Sequence, residues 1–555
     1  MLLKNEQTVT GAGMSRANPA KLFGFLAIVL AVMGGLAALK GGLYIAKHEA
    51  DTLHLLQIVF RMDAGQWPHL DFMTPIGALA YAPIAFLVGL GMGVGHAVIY
   101  AQIAMGAVLL PAAWWVGVSR MRGVMPYLFG MLVVVLATAL AFGLAESSIS
   151  ISMHYNRWAW AISFIAIAIA ILPALGRMHQ GVDGVILGAC MAALVLIKVT
   201  YFAAFAPAII IALALRKSYR TLGVAVVTGL VIAAIVTLFT GLAFWQAYMA
   251  DLMLVAGSDV RPQPGLPLGV IVASPAYLAG SVLAFAGIVL LRRSGEAIGG
   301  LALLLLVPGF FYVTFQNFGN DPQWLPMLAI LLMTLRPDGA VDKGAGRDMR
   351  GALTMVAVGA FALSAPTFIN LAYSPLRHFG LNAADYESIM LRNDRHQDLQ
   401  AISLRVWRLD GRVALDGDGS GLGHLAEAAG REDAVMLLGE PLPDCELKLG
   451  LPGWIGSIVQ DLEQAGLTQG KGVFMADMFS SHWLFGDLEP LINGAPWYYG
   501  GLPGFWSADY LLVPLCPAEQ GIRKTILEQI AARPDVSLNE IHRTPLYILL
   551  EIERQ

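Results

Sequence analysis

The sequence predicts an α-helical polytopic membrane protein of about 11 transmembrane helices with a soluble C-terminal α/β domain. Three observations lead there. Mean hydropathy is +0.65, and charged residues are only 13% of 555, about half the usual share for a soluble protein. Apolar runs near 20 residues recur, the length that crosses ~30 Å of hydrocarbon. Charge is also partitioned. Residues 1–373 carry 21 Lys+Arg and 14 Asp+Glu, a net of +7, whereas residues 374–555 carry 14 and 25, a net of −11. The chain therefore divides into a membrane part, 1–373, and a soluble part, 374–555. The acidity of the second argues against nucleic acid as a partner.

The polar, basic N-terminus leads into 22–39, which is longer than a signal-peptide core, lacks an A-x-A site and reads as a retained first span. The other spans are 97–118, 124–144, 158–175, 184–197, 199–215, 221–245, 268–291, 298–318, 323–335 and 352–372. Lys198 alone interrupts 184–215, so that stretch reads as a tight pair with Lys198 at its turn. Residues 74–95 are apolar enough to cross, but the positive-inside rule argues otherwise. With 74–95 kept at the surface, 15 basic residues of the membrane part fall inside and 6 outside; with it crossing, the bias reverses. Pro75, Pro83 and the glycines of 74–95 also suit a broken surface helix. Residues 40–96 thus form one long extracytoplasmic loop with surface helices, on the same side as the C-terminal domain.

That loop holds KHEADTLHLLQIVFRMDAGQWPHLDFMTPIG from Lys47, dense in ionisable groups between apolar runs. As a helix, 49–64 places Glu49, Leu53, Leu56 and Phe60 on one stripe and Asp51, His54, Ile58 and Arg61 on another. Such a helix can lie flat in the membrane interface with its polar edge toward the protein. Gly65 stops it.

The order of a first span, an acidic pair, a surface helix ending in Gly65-x-x-Pro68, a Pro-containing apolar surface segment and a span ending in Arg resembles the GT-C superfamily of membrane glycosyltransferases, to which aminoarabinose transferases and protein O-mannosyltransferases belong. The family's adjacent acidic pair is replaced here by Glu49-Ala50-Asp51. The resemblance implies an inverting transferase that passes a sugar from a polyprenyl-phosphate carrier to an envelope glycan, lipid or protein. It implies a multi-pass protein of the bacterial inner membrane, with a cytoplasmic N-terminus and a periplasmic C-terminal domain. The chemistry asks for a carboxylate that takes the acceptor's proton and cations that hold the leaving phosphate. Asp51 is the expected base and Glu49 its helper. Arg61 and His54 are candidates for substrate contact, and Asp71 for a divalent cation (Mg, Mn or Ca). The plain alternative is that these acids form surface ion pairs with Lys47 and Arg61.

Other loops of the same face add candidates. Asn156 and Arg157 precede Trp158 and Trp160; Arg157 suits phosphate but equally an interfacial anchor. His154 is a second candidate metal ligand, or an ordinary surface histidine. Lys198, a lone cation among apolar residues, is a functional candidate for carrier phosphate. The loop 245–265 carries Asp251, Asp259 and Arg261; the loop 315–324 carries Gln316, Asn317, Asn320 and Asp321, whose amides suit sugar hydroxyls.

In the C-terminal domain 434–439, 472–477, 508–515 and 546–552 read as strands, and PGWIGSIVQDLEQAG and AEQGIRKTILEQIAARP as helices. No nucleophile elbow, P-loop or dinucleotide fingerprint occurs there. APWYYGGLPGFW, 495–506, suits sugar stacking or membrane docking. Residues 416–427 have the spacing of a calcium loop, or of a Gly-rich turn before a helix. Cys445 and Cys516 are a candidate disulfide. A transporter or flippase is a rival reading, but no internal repeat is visible. A non-catalytic assembly subunit with a GT-C-like fold is another.

Overall fold

The structure, a computed structural model, describes residues 15–144, 146–260, 266–317, 320, 322–338, 348–415, 421–428 and 434–555. The calcium-loop residues Asp416, Asp418 and Ser420, and also Arg261 and Asp321, lie outside them.

The membrane part is helical: α1 (Pro19–Ala38), α2 (Glu49–Asp63), α3 (Ala82–Gly89), α4 (Val94–Arg120), α5 (Met125–Thr138), α6 (His154–Ile171), α7 (Gln180–Leu215), α8 (Tyr219–Thr240), α9 (Ala243–Ala256), α10 (Leu268–Ala273), α11 (Pro275–Ser294), α12 (Ala297–Gln316), α13 (Leu325–Leu335) and α14 (Met349–Phe379). Capping explains several starts. Asn18 accepts from the Lys21 N–H at 3.1 Å with Pro19 in the first turn. Asp348 accepts from the N–H groups of Arg350 and Gly351.

Seven of these helices are long and apolar enough to cross a membrane, against the eleven spans expected, so the chain is membrane-embedded. The difference has physical causes. Apolar α5 and α13 are shorter than a span, at 14 and 11 residues. α6 opens on His-Tyr-Asn-Arg and is buried along nearly its whole length, a helix of the bundle's centre. α7 counts once, but Lys198 breaks its helical geometry at φ −158°, ψ 101°. Asp183 and Arg216, at opposite ends of α7, line one cavity, whereas a straight 36-residue helix would hold its ends roughly 50 Å apart. α7 is therefore a helical hairpin with Lys198 at its tip. Residues 74–95 fold as a 3-10 turn and the eight-residue α3, about 12 Å of helix, too short to cross.

The strands are β1 (Leu43–Ile45), β2 (Tyr386–Ser388), β3 (Leu399–Ile402), β4 (Asp410–Val413), β5 (Met436–Leu437), β6 (Glu440–Pro441), β7 (Cys445–Leu449), β8 (Val473–Met475), β9 (Tyr510–Pro514), β10 (Val536–Arg543) and β11 (Tyr547–Arg554), interleaved with helices α15 (Ser403–Trp407), α16 (Gly423–Ala428), α17 (Leu451–Gln464) and α18 (Gln520–Ala531). The main sheet runs β10-β11-β9-β8, with β8 and β9 parallel and the other pairs antiparallel. Its pleat sorts two cores. Leu511, Val513, Ile548 and Leu550 join Ile522 and Ile526 of α18, while Leu512, Tyr547 and Leu549 share a core with Trp454, Ile455 and Ile458 of α17. The strand expected at 434–439 is only a two-residue hairpin arm, outside that sheet. Cys445 and Cys516 are joined by a disulfide across 71 residues.

The boundary expected at 373 falls within α14. α14 continues to Phe379, and β1, from the loop 40–96, pairs in parallel with β3. Asp398 accepts from the N–H groups of Gly95 (3.1 Å) and His96 (2.7 Å), capping α4, while its carbonyl accepts from Leu43 at 2.7 Å. A Cβ on Gly95 would lie 2.2 Å from that carbonyl, so the approach requires glycine. α2 is likewise not a helix floating in the interface. Gln57 donates to Ser481 Oγ and the Pro496 carbonyl, and accepts from Ser480 and Trp483. The C-terminal region therefore covers α2, and both of its stripes are largely buried.

Candidate functional site

The charges of the opening loop separate into structural ties and one open cluster. Glu49 belongs to the ties. Arg405 of α15 grips it with two hydrogen bonds, Nε to Oε2 at 2.7 Å and Nη2 to Oε1 at 3.0 Å, and Glu49 is 6% exposed. Its carboxylate joins α2 to the C-terminal region. Arg61 is also a tie. Its Nη1 donates to the Leu491 carbonyl and to Gln66, its guanidinium lies over the rings of Phe72 and Trp483, and burial pushes its pKa down to about 10. Lys47 pairs with Glu146 at 2.8 Å.

Arg157, expected to hold phosphate, is fully buried and donates to the carbonyls of Ala139, Phe142 and Ser152. It fixes the loop between α5 and α6. The two candidate metal ligands lie in unlike settings. Asp71 is exposed and takes the Trp67 N–H at 2.6 Å in a turn; His154 is buried with Nε2 on the Ala80 carbonyl at 3.0 Å. Among the described residues no group of three or more metal-ligating side chains is found. Asp251, on α9 rather than in the loop expected there, lies 2.8 Å from His69 and takes the Thr74 N–H at 3.1 Å, so α9 supports the turn after α2. Asn317 caps α12, and its carbonyl accepts from Asn320, whose own Oδ1 is taken by Trp160 and Tyr201.

The open cluster is built around Asp51, Lys198 and Asn156. Asp51 sits in the first turn of α2, where the helix dipole favours a carboxylate. Ser152 Oγ donates to its Oδ2 at 2.6 Å, leaving Oδ1 without a hydrogen bond among the described residues. Lys198, at the hairpin tip, donates to Asn156 Oδ1 at 3.0 Å and lies 5.6 Å from the centre of the Tyr155 ring. The tip is placed by backbone. Gly77 N–H donates to the Ile197 carbonyl at 3.1 Å, and a Cβ on Gly77 would fall 2.2 Å from the Leu196 carbonyl. The Tyr81 ring centre lies 6.3 Å from that of Tyr155. Its electrostatic neighbours are Tyr155, Tyr499 and Asp51, and burial raises its pKa well above the ordinary tyrosine value. His54, one turn along from Asp51, packs edge-on to Tyr81 and Trp497.

Two atoms of the cluster are buried without a partner among the described residues: the Tyr81 hydroxyl and Asn156 Nδ2. An unsatisfied buried polar group costs about 1–3 kcal/mol, so two such groups mark a place kept polar for something other than packing. The cluster thus offers an open carboxylate oxygen, a cation, an amide donor and a phenol, drawn from the opening loop, α6 and the α7 tip. Asp51, Asn156 and Lys198 were legible as candidates. Tyr81, Ser152 and Tyr499 carried no local signal, except that Tyr499 falls in the aromatic loop 495–506.

No family model, curated protein or solved structure matches this chain.

Proposed function

We propose that this protein is an inverting membrane glycosyltransferase that moves a sugar from a polyprenyl-phosphate carrier to an envelope glycan, lipid or protein acceptor. The observation that carries the reading is that Asp51, an electrostatic neighbour of Tyr81, and Lys198, which contacts Asn156 and Tyr155, belong to one cluster in which the Tyr81 hydroxyl and Asn156 Nδ2 have no partner among the described residues. In the reaction the acceptor oxygen attacks the anomeric carbon and the bond to the carrier phosphate breaks. Asp51 Oδ1 takes the acceptor's proton. Lys198 meets the charge growing on the phosphate, with Asn156 and Tyr81 as donors to the same group. The disulfide between Cys445 and Cys516 supports an oxidising, extracytoplasmic setting for the C-terminal region, and with it a cytoplasmic N-terminus.

Tyr81→Phe tests this reading against a purely structural one. The hydroxyl has no hydrogen-bond partner among the described residues, so removing it is expected to leave thermal stability unchanged or slightly raised. Transfer of labelled sugar from a polyprenyl-phosphate donor by the protein in nanodiscs is expected to fall about tenfold, the scale of one lost hydrogen bond to a charged group. Unchanged transfer would remove the hydroxyl from the site. Comparing envelope glycans by mass spectrometry with and without the gene identifies the sugar and its acceptor.

A further inference from the structure

The opposite end of the helical bundle holds a second polar site. α4, a helix of 27 residues, begins against Asp398 and ends at Arg120, about 40 Å away. There a cavity of about 370 Å³ is lined by the polar residues Arg216, Lys217, Ser218 and Thr221 and by an apolar set that includes Leu172 and Ile298. Arg120 also lines it but is occupied: Nη2 lies 2.7 Å from Asp183, which accepts from Trp115 Nε1 at 2.8 Å as well. Arg216 is differently placed. Its Nε is buried without a hydrogen-bond partner among the described residues, and its electrostatic neighbours are Glu296 and Arg120. Lys217 is held in the left-handed region at φ 56°, a conformation that costs a residue with a side chain of order 1 kcal/mol or more. α8 starts at Tyr219, so the positive end of a 22-residue helix meets the cavity at Ser218 and Thr221, and Ser218 makes no side-chain capping bond.

We propose that this cavity binds a phosphate-bearing anion, the acidic headgroup of a phospholipid or a free phosphate. A guanidinium with a free edge, an ammonium, a hydroxyl and a helix N-terminus are the donors that phosphate oxygens take. The apolar part of the lining suits the glycerol and first acyl carbons of a lipid. Asp183 and Glu296 partly offset the local positive charge, which fits a single phosphate. The site is independent of the Asp51 cluster at the other end of the bundle.

The test is native mass spectrometry of the full chain released from mixed micelles of phosphatidylglycerol and phosphatidylcholine, with and without inorganic phosphate. The wild type is expected to retain phosphatidylglycerol over phosphatidylcholine by roughly tenfold, the scale of two basic residues. Arg216→Gln with Lys217→Gln should abolish the preference. Ala174→Phe, which fills the cavity from its lining while keeping every charge, should do the same, and it decides the matter if the double variant does not fold. Arg293→Gln, a basic residue of α11 outside the lining, should change nothing. Binding of inorganic phosphate with the same dependence on the variants, without a lipid preference, assigns the site to free phosphate. No selective retention of either anion, or equal loss in Arg293→Gln, overturns the proposal.

Discussion

Replacing Asp51 by Asn is expected to lower glycosyl transfer by at least ~10²-fold, the usual scale for a lost general base, with the protein still folded and inserted. The substitution keeps size and shape. The amide oxygen still accepts from Ser152, whose hydroxyl now lies 2.6 Å from Oδ2, so α2 keeps its tie to the loop before α6. What disappears is the proton acceptor at Oδ1. Because Lys198 and Asn156 are untouched, donor binding should persist. A donor Kd close to wild type with turnover lost separates a role in the chemistry from one in binding. Wild-type turnover in Asp51→Asn would exclude this carboxylate as the base.

Replacing Glu49 by Gln should act on the fold. The change leaves Arg405, 28% exposed at its side chain, facing a neutral amide in a place where Glu49 is 7% exposed. Breaking a buried pair from one side costs about 3–5 kcal/mol, so the thermal midpoint should drop by several degrees. Arg405→Gln should cost a similar amount. Replacing both by Leu should recover part of the loss, since burying neither charge removes the desolvation penalty. Specific activity per folded molecule is expected to stay within about threefold of wild type. A normal midpoint with abolished transfer would reverse the roles given to Glu49 and Asp51.

Much of the architecture was legible because hydrocarbon imposes a length and a polarity on what crosses it. Eight of the expected spans each coincide with a single helix or its larger part, and the break at Lys198 was readable because one cation interrupts a long apolar run. The strands 508–515 and 546–552 were legible from the same kind of pattern, since both faces of the sheet are covered and the strands read as apolar runs. What sequence could not give was which charges face each other. Arg61, Arg157 and Lys198 look alike in one dimension, each a cation beside apolar residues. Carbonyls contributed by residues 5 to 430 positions away occupy the first two, and only the third points to an open cluster. Nor could periodicity show that Leu43–Ile45 would leave its loop to pair with residues 399–401. That pairing puts the C-terminal region over α2 and turns an expected interfacial helix into a buried one.

The central claim is that Asp51 and Lys198 face the same bound molecule. A structure of the Asp51→Asn protein in nanodiscs, determined with a polyprenyl-phosphate sugar bound, tests it most directly. The account predicts a phosphate oxygen within roughly 2.7–3.2 Å of Lys198 Nζ, the Tyr81 hydroxyl and Asn156 amide turned onto the same group, and the anomeric carbon on the side of residue 51. A donor bound elsewhere, with Lys198 still resting on Asn156 and the Tyr81 hydroxyl still without a partner, would contradict it.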